Sequence, residues 1–124
     1  MISAADKLNT ARLFSSGHFA DVADRLADDV EFHIFEDGKH FVGKPEVQEF
    51  CSGIEAYFAS VETNFREHGH LMSENRVAIY GYATFSRDGK LLNAVNSCDV
   101  YEFDDQGLIK TIYSYCNGQQ QAMK

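Results

Sequence analysis

The chain has 124 residues, 44% of them hydrophobic and 13% aromatic, which suits one globular domain with a single core and excludes a disordered chain. Its formal net charge of −8 argues against nucleic acid and anionic membrane as partners, since both require basic footprints. No apolar run reaches membrane-spanning length, and residues 1–6 lack the regions of a signal peptide.

In chain order, Ser3 is expected as an N-cap with Asp6 three residues on. The helix it opens runs from Ala4 to Ser16, with Ala5, Leu8, Ala11 and Phe14 inward, and Gly17 ends it. Phe19, Val22, Ala23 and Leu26 fall at i, i+3, i+4 and i+7, predicting a second short helix. Asp28 and Asp29 break that pattern before a strand from Val30 to Phe35. Glu36 to Lys39 reads as a turn, and His40 to Val42 as a short strand. Pro45 opens a third helix, with Val47, Phe50, Cys51, Ile54, Tyr57 and Phe58 as its buried stripe.

From Ser60 onward the pattern becomes extended. Strands are expected over Val61–Met72, Asn75–Ser86, Lys90–Phe103 and Leu108–Asn117, joined by Ser73-Glu74, by the hairpin signal Asp88-Gly89 and by Asp104–Gly107. The polar tail, Gly118–Lys124, is expected to fray. Helices first and strands last indicate an α+β domain spanning 1–124, a sheet with helices on one face. The strands Val77–Phe85 and Ile109–Cys116 are apolar or aromatic on both faces, so the outer face wants a cover too. A second copy of the chain is the expected cover, giving a homodimer.

One residue is out of keeping with its strand. Alternation puts Asp99 on the same face as Val95, Ser97, Tyr101 and Phe103. A carboxylate among such neighbours would have its pKa raised toward neutrality and could act as a general acid or base. The alternative is a carboxylate locked in an ion pair or against backbone at the rim. His33 shares the polar face with Glu31 by simple alternation. A bulge could instead turn it inward to form a His–Asp pair with Asp99. His68 and His70 sit two apart, a spacing metals can use, but no third ligand is near in sequence and no metal is expected. The three cysteines, Cys51, Cys98 and Cys116, show no CxxC spacing and no basic neighbour. All three are read as reduced, in a cytoplasmic protein, and Cys51 and Cys116 by default as packing residues beside the cavity.

The order of elements resembles the NTF2-like superfamily, the α+β cone of SnoaL-like polyketide cyclases, ketosteroid isomerases, limonene-epoxide hydrolases and scytalone dehydratases. Three stretches carry the likeness: Ala27-Asp28-Asp29-Val30, Gly43 followed by Val47-Gln48-Glu49-Phe50, and Val100 to Ile109 with Asp104-Asp105-Gln106-Gly107 at its turn. The resemblance implies a curved antiparallel sheet wrapped around about three helices. Beside a ketosteroid isomerase, Asp99 falls where those enzymes keep a protonated aspartic acid that donates to an oxyanion. The general-base position falls near Ile34 and the helical tyrosines near Thr10 and Cys51, so that isomerase mechanism is not expected. The same comparison turns Ile79, Gly81, Ala83, Phe85, Ile112, Ser114 and Cys116 toward a cavity left roomy by Gly81 and Ala83. It turns Tyr80, Tyr82, Tyr113 and Tyr115 toward a partner copy.

The expected function is thus that of a small-molecule pocket protein, working without a cofactor by acid–base chemistry on a hydrophobic, oxygenated substrate. Cyclase, isomerase, dehydratase and hydrolase types all fit. Asp99 and His33 are the candidate catalytic residues, and Tyr57, Ser97, Tyr101, Phe50, Phe85, Ser114 and Cys116 the candidate ligand contacts. The alternative is a non-catalytic ligand-binding or dimeric interaction module, because this fold hosts both.

Overall fold

A computed structural model describes residues 3–118, so the expectation for the tail lies almost wholly outside the described residues. Helix α1 (Ala4–Ser15) starts as its sequence requires. Ser3 Oγ accepts from the Asp6 amide at 3.1 Å, and the Asp6 carboxylate accepts from the Ser3 amide at 3.4 Å. Gly17, at φ +91°, lets the chain leave the helix where an added Cβ would strike the Phe58 ring. Arg12 grips Glu67 with two bonds of 2.8 and 3.0 Å, tying α1 across the sheet.

The second helix differs from expectation. Phe19–Arg25 is a 3₁₀ helix interrupted at Val22, and Leu26 already belongs to the first strand, β1 (Leu26–Ile34). Leu26 pairs with Ile109, and regular register resumes only at Glu31. Strand pairing therefore takes Leu26 from the helix, and Asp28 and Asp29 sit exposed in the irregular stretch. A 3₁₀ turn at Phe35–Asp37 leads to β2 (Lys39–Val42), and α2 (Lys44–Ala59) follows, with Pro45 in its first turn.

The remaining strands are β3 (Glu62–Met72), β4 (Arg76–Arg87), β5 (Lys90–Phe103) and β6 (Ile109–Gly118). The β4–β5 hairpin turns through Asp88 and Gly89, both at positive φ, as a tight two-residue connection demands. At the next turn, Asp104 Oδ1 accepts from the amides of Gln106 and Leu108. Sheet order is β2-β1-β6-β5-β4-β3. β3 to β6 form the expected antiparallel meander, but β1 joins β6 in parallel, so the sheet is mixed rather than wholly antiparallel. β1 and β6 are joined through β2, α2 and the strands β3 to β5 rather than by a hairpin, so the connection leaves either direction open.

Alternation sets the core. Val77, Ile79, Tyr101, Phe103, Ile109 and Ile112 are almost wholly buried beneath Ala11, Phe14, Val47 and Cys51 of the helices. Phe14 meets Phe19, Phe32 and Tyr101 edge to face, with centroids 4.7 to 5.8 Å apart. Among the described residues no helix is long and apolar enough to cross a membrane.

Candidate functional site

Between the helices and the inner sheet face lies a cavity of about 400 Å³. Its apolar wall is built from Phe19 and Phe32, from Phe50, Ile54 and Phe58 of α2, and from Phe65 and Phe85 of the sheet. Its polar groups gather on neighbouring positions of β5 and β6: Ser97, Asp99, Ser114 and Cys116. Register explains the gathering, because Ser97 pairs with Cys116 and Asp99 with Ser114.

Asp99 is the chemical centre. Its Oδ2 accepts a 2.9 Å hydrogen bond from Ser15 Oγ at the end of α1. Ser15 Oγ also meets the Tyr101 hydroxyl. A serine has one proton, and Ser15 gives it to Asp99, so Tyr101 must be the donor to Ser15. The result is a relay Tyr101 → Ser15 → Asp99 that ends on the carboxylate. Burial pushes the Asp99 pKa up to about 6. The Ser15 and Ser114 hydroxyls pull it down by less, and Glu36 at the mouth adds a small upward push. The thiol of Cys116, 3.6 Å from Ser114 Oγ, is pushed up to about 12 by burial and by the Asp99 charge. Cys51 is likewise pushed up to about 12, chiefly by burial. Both are thiols at neutral pH and not nucleophiles.

Phe50, Phe85, Ser97, Ser114 and Cys116 line the cavity with Asp99, and four other expectations need correcting. His33 does not meet Asp99. β1 stays regular from Glu31 to Ile34, so Phe32 and Ile34 face the cavity while His33 lies on the outer face, stacked on His40 and Tyr113. Tyr101 stands behind the wall. It is wholly buried, with its hydroxyl spent on Ser15 and its pKa raised by burial. Tyr57 is 44% exposed at the far end of α2, its ring beside Phe58 and Phe85 rather than in the cavity. Nor does Gly81 leave room. β3 bulges between Glu67 and Gly69, and a Cβ on Gly81 would lie 2.3 Å from the Arg66 carbonyl oxygen.

Ser15 is absent from the sequence-based set, although it follows Leu8 and Ala11 at i+7 and i+4 and so sits on the inward stripe. Glu36 and Lys39 are also new. Glu36 within the 3₁₀ turn and Lys39 just after it stand at the cavity mouth, with Lys39 Nζ 5.7 Å from the Phe50 ring centroid.

Comparison with known proteins agrees with this architecture. The profile of the SnoaL-like domain family matches residues 9–112. An NTF2-like protein of unknown function from Cytophaga hutchinsonii is 30% identical and superposes with a TM-score of 0.78, over 88% of this chain and 94% of its own. A protein from Shewanella denitrificans assigned as a SnoaL-like polyketide cyclase superposes with a TM-score of 0.71 at 13% identity, over 94% and 93% of the two chains. One from Rhodopseudomonas palustris assigned as an isomerase does so with a TM-score of 0.70 at 16% identity, over 92% and 96%. No curated protein matches the chain.

Proposed function

The chain belongs to the SnoaL-like domain family, and from that premise we propose that it is a cofactor-free acid–base enzyme acting on a hydrophobic, oxygenated small molecule. The observation that carries the reading is Asp99: a carboxyl group with its pKa near 6, opening on an apolar cavity of about 400 Å³. Such a group is mostly ionised at neutral pH, yet basic enough to take a proton from an activated carbon. On this reading the carboxylate of Asp99 removes a proton next to a substrate carbonyl. It then returns that proton at another atom, or to a leaving oxygen. Cyclisation, isomerisation and elimination differ only in where the proton and the electron pair go.

Beside Asp99 the cavity offers the Ser97 hydroxyl and the Cys116 thiol as neutral donors, the Ser114 hydroxyl being turned to Asp99. Neutral donors stabilise a full enolate weakly, so the fitting substrate spreads its charge over more than one carbonyl group. The Ser15–Tyr101 relay positions Asp99 and holds its pKa below what burial alone would set.

The aromatic outer face, with Tyr80 41% and Phe35 and Tyr115 each 50% exposed, supports a homodimer formed through it. Three cysteines without disulfides suit the reducing cytoplasm. The test of the function is Asp99→Asn, assayed on a panel of 1,3-dicarbonyl compounds by exchange of the activated C–H for deuterium. Exchange by the wild type that is lost in the variant supports catalysis. Ligand binding that is equal in both proteins, with no exchange in either, marks the cavity as a binding site without turnover.

A further inference from the structure

Strands β1 and β2 bring three metal-capable side chains together on the outer sheet face, across the sheet from the Asp99 cavity. Glu31 and His33 share that face because they are two residues apart on β1, and His40 of β2 stands opposite His33 in the antiparallel register. Glu31 Oε1 lies 2.9 Å from His40 Nε2 and 3.6 Å from His33 Nε2, and the three donor atoms all lie within 4.8 Å of one another. A tetrahedral ion with ligand bonds of about 2.1 Å needs donors about 3.4 Å apart, between those two separations. We propose that Glu31, His33 and His40 bind a divalent cation of the zinc class, with water in the fourth position.

Chemistry selects the class. Two imidazoles and one carboxylate suit zinc, and nickel or copper by the general order of stability, over magnesium or calcium, which take oxygen ligands. The two histidine rings stack at 4.1 Å and 13°. To bind, each tips about its χ2 torsion so that the Nε2 lone pair faces the ion, and its proton moves to Nδ1. In the single chain the donors are partly exposed at the β2 edge of the sheet, which gives the ion a path in and sets a modest affinity.

The chain between the ligands gives the site a consequence. Residues 35–39 form the turn that carries Glu36 and Lys39 to the mouth of the Asp99 cavity, and His33 and His40 flank that turn. An ion held by both histidines would clamp its two ends together across β1 and β2 and steady the lip of the cavity.

Calorimetric titration of the chelator-treated full chain with zinc chloride tests the site. Expected is one zinc per chain with micromolar affinity, weakened at least about tenfold in each of His33→Ala, His40→Ala and Glu31→Gln and unchanged in His70→Ala. All three substituted residues are partly exposed, and far-ultraviolet circular dichroism confirms that the variants keep the fold. Absence of binding up to millimolar zinc overturns the site, as does binding of full strength in His40→Ala. Amide exchange should slow over residues 35–39 when zinc is added; exchange that zinc leaves unchanged there overturns the clamp.

Discussion

Asp99 sets up a conflict between stability and function that can be measured at a single residue. Its pKa near 6 compares with about 3.9 in an unfolded chain, so the fold prefers the protonated form. Below about pH 4 both states are protonated and the residue costs nothing. As pH rises from there through the folded pKa the residue comes to cost up to about 3 kcal/mol, reached above about pH 7 and reduced by whatever water reaches the group. Asp99→Asn should therefore lower turnover at least about a hundredfold while removing this pH-dependent loss. Urea unfolding of both proteins at several pH values checks it: the variant should gain on the wild type as pH rises from about 4 to about 7. If Asp99 is the base, kcat/KM of the wild type should fall on the acid side with a midpoint near the Asp99 pKa of about 6.

Ser15 tests the relay at the same scale. Its hydroxyl lowers the Asp99 pKa, so Ser15→Ala should move the acid limb of kcat/KM to higher pH. It also leaves the buried Tyr101 hydroxyl without its partner, at a cost of about 1–3 kcal/mol. A role confined to packing would change stability and leave the pH profile where it was.

At the scale of the element, close approach matters more than residue size. Gly81 sits in β4 where the β3 bulge brings the Arg66 carbonyl oxygen within 2.3 Å of any added Cβ. Gly81→Ala must push the two strands apart, and because the obstacle is backbone the cost should be about 1–3 kcal/mol, read from the urea midpoint. Ala83, two residues on, lines the cavity wall with no such obstruction beside it. From sequence the two small residues look alike. The bulge that separates their roles lies in another strand.

His33 teaches the same lesson from the other side. Simple alternation puts it on the outer face, and it stays there because β1 keeps its register with β2 and β6 from Glu31 to Ile34. The irregularity lies earlier, between Leu26 and Glu31. The three-residue cluster it forms with Glu31 and His40 needs the β1–β2 register, which brings together positions nine and seven apart in the chain. His68 and His70 have the more conspicuous spacing, yet His70 is engaged with Glu67 and Arg12.

At the scale of the whole molecule, the outer sheet face offers Tyr80, Tyr115 and Phe35 in the open, with Tyr113 beside both His33 and Phe35. A homodimer through this face predicts twice the chain mass in sedimentation velocity at micromolar concentration. Tyr115→Lys, at a position already half exposed, should shift the protein to monomer without lowering the stability of the single chain; a wild type that sediments as monomer removes the proposed interface.

The sequence by itself determined the local and periodic features: the Ser3–Asp6 cap, Pro45 at the start of α2, the Asp88-Gly89 hairpin, and the strand parity that sets Asp99 on one face with Ser97. Each follows from forces acting over a few residues, where side-chain type and spacing suffice. Only the tertiary structure decided that Leu26 belongs to β1, that β1 lies parallel to β6, that Ser15 reaches Asp99 across 84 positions, and that Tyr101 supports the wall instead of lining it. Those outcomes depend on register and packing between distant segments. There a shift of one residue reverses a side chain's face, and no local pattern in the chain records which register wins.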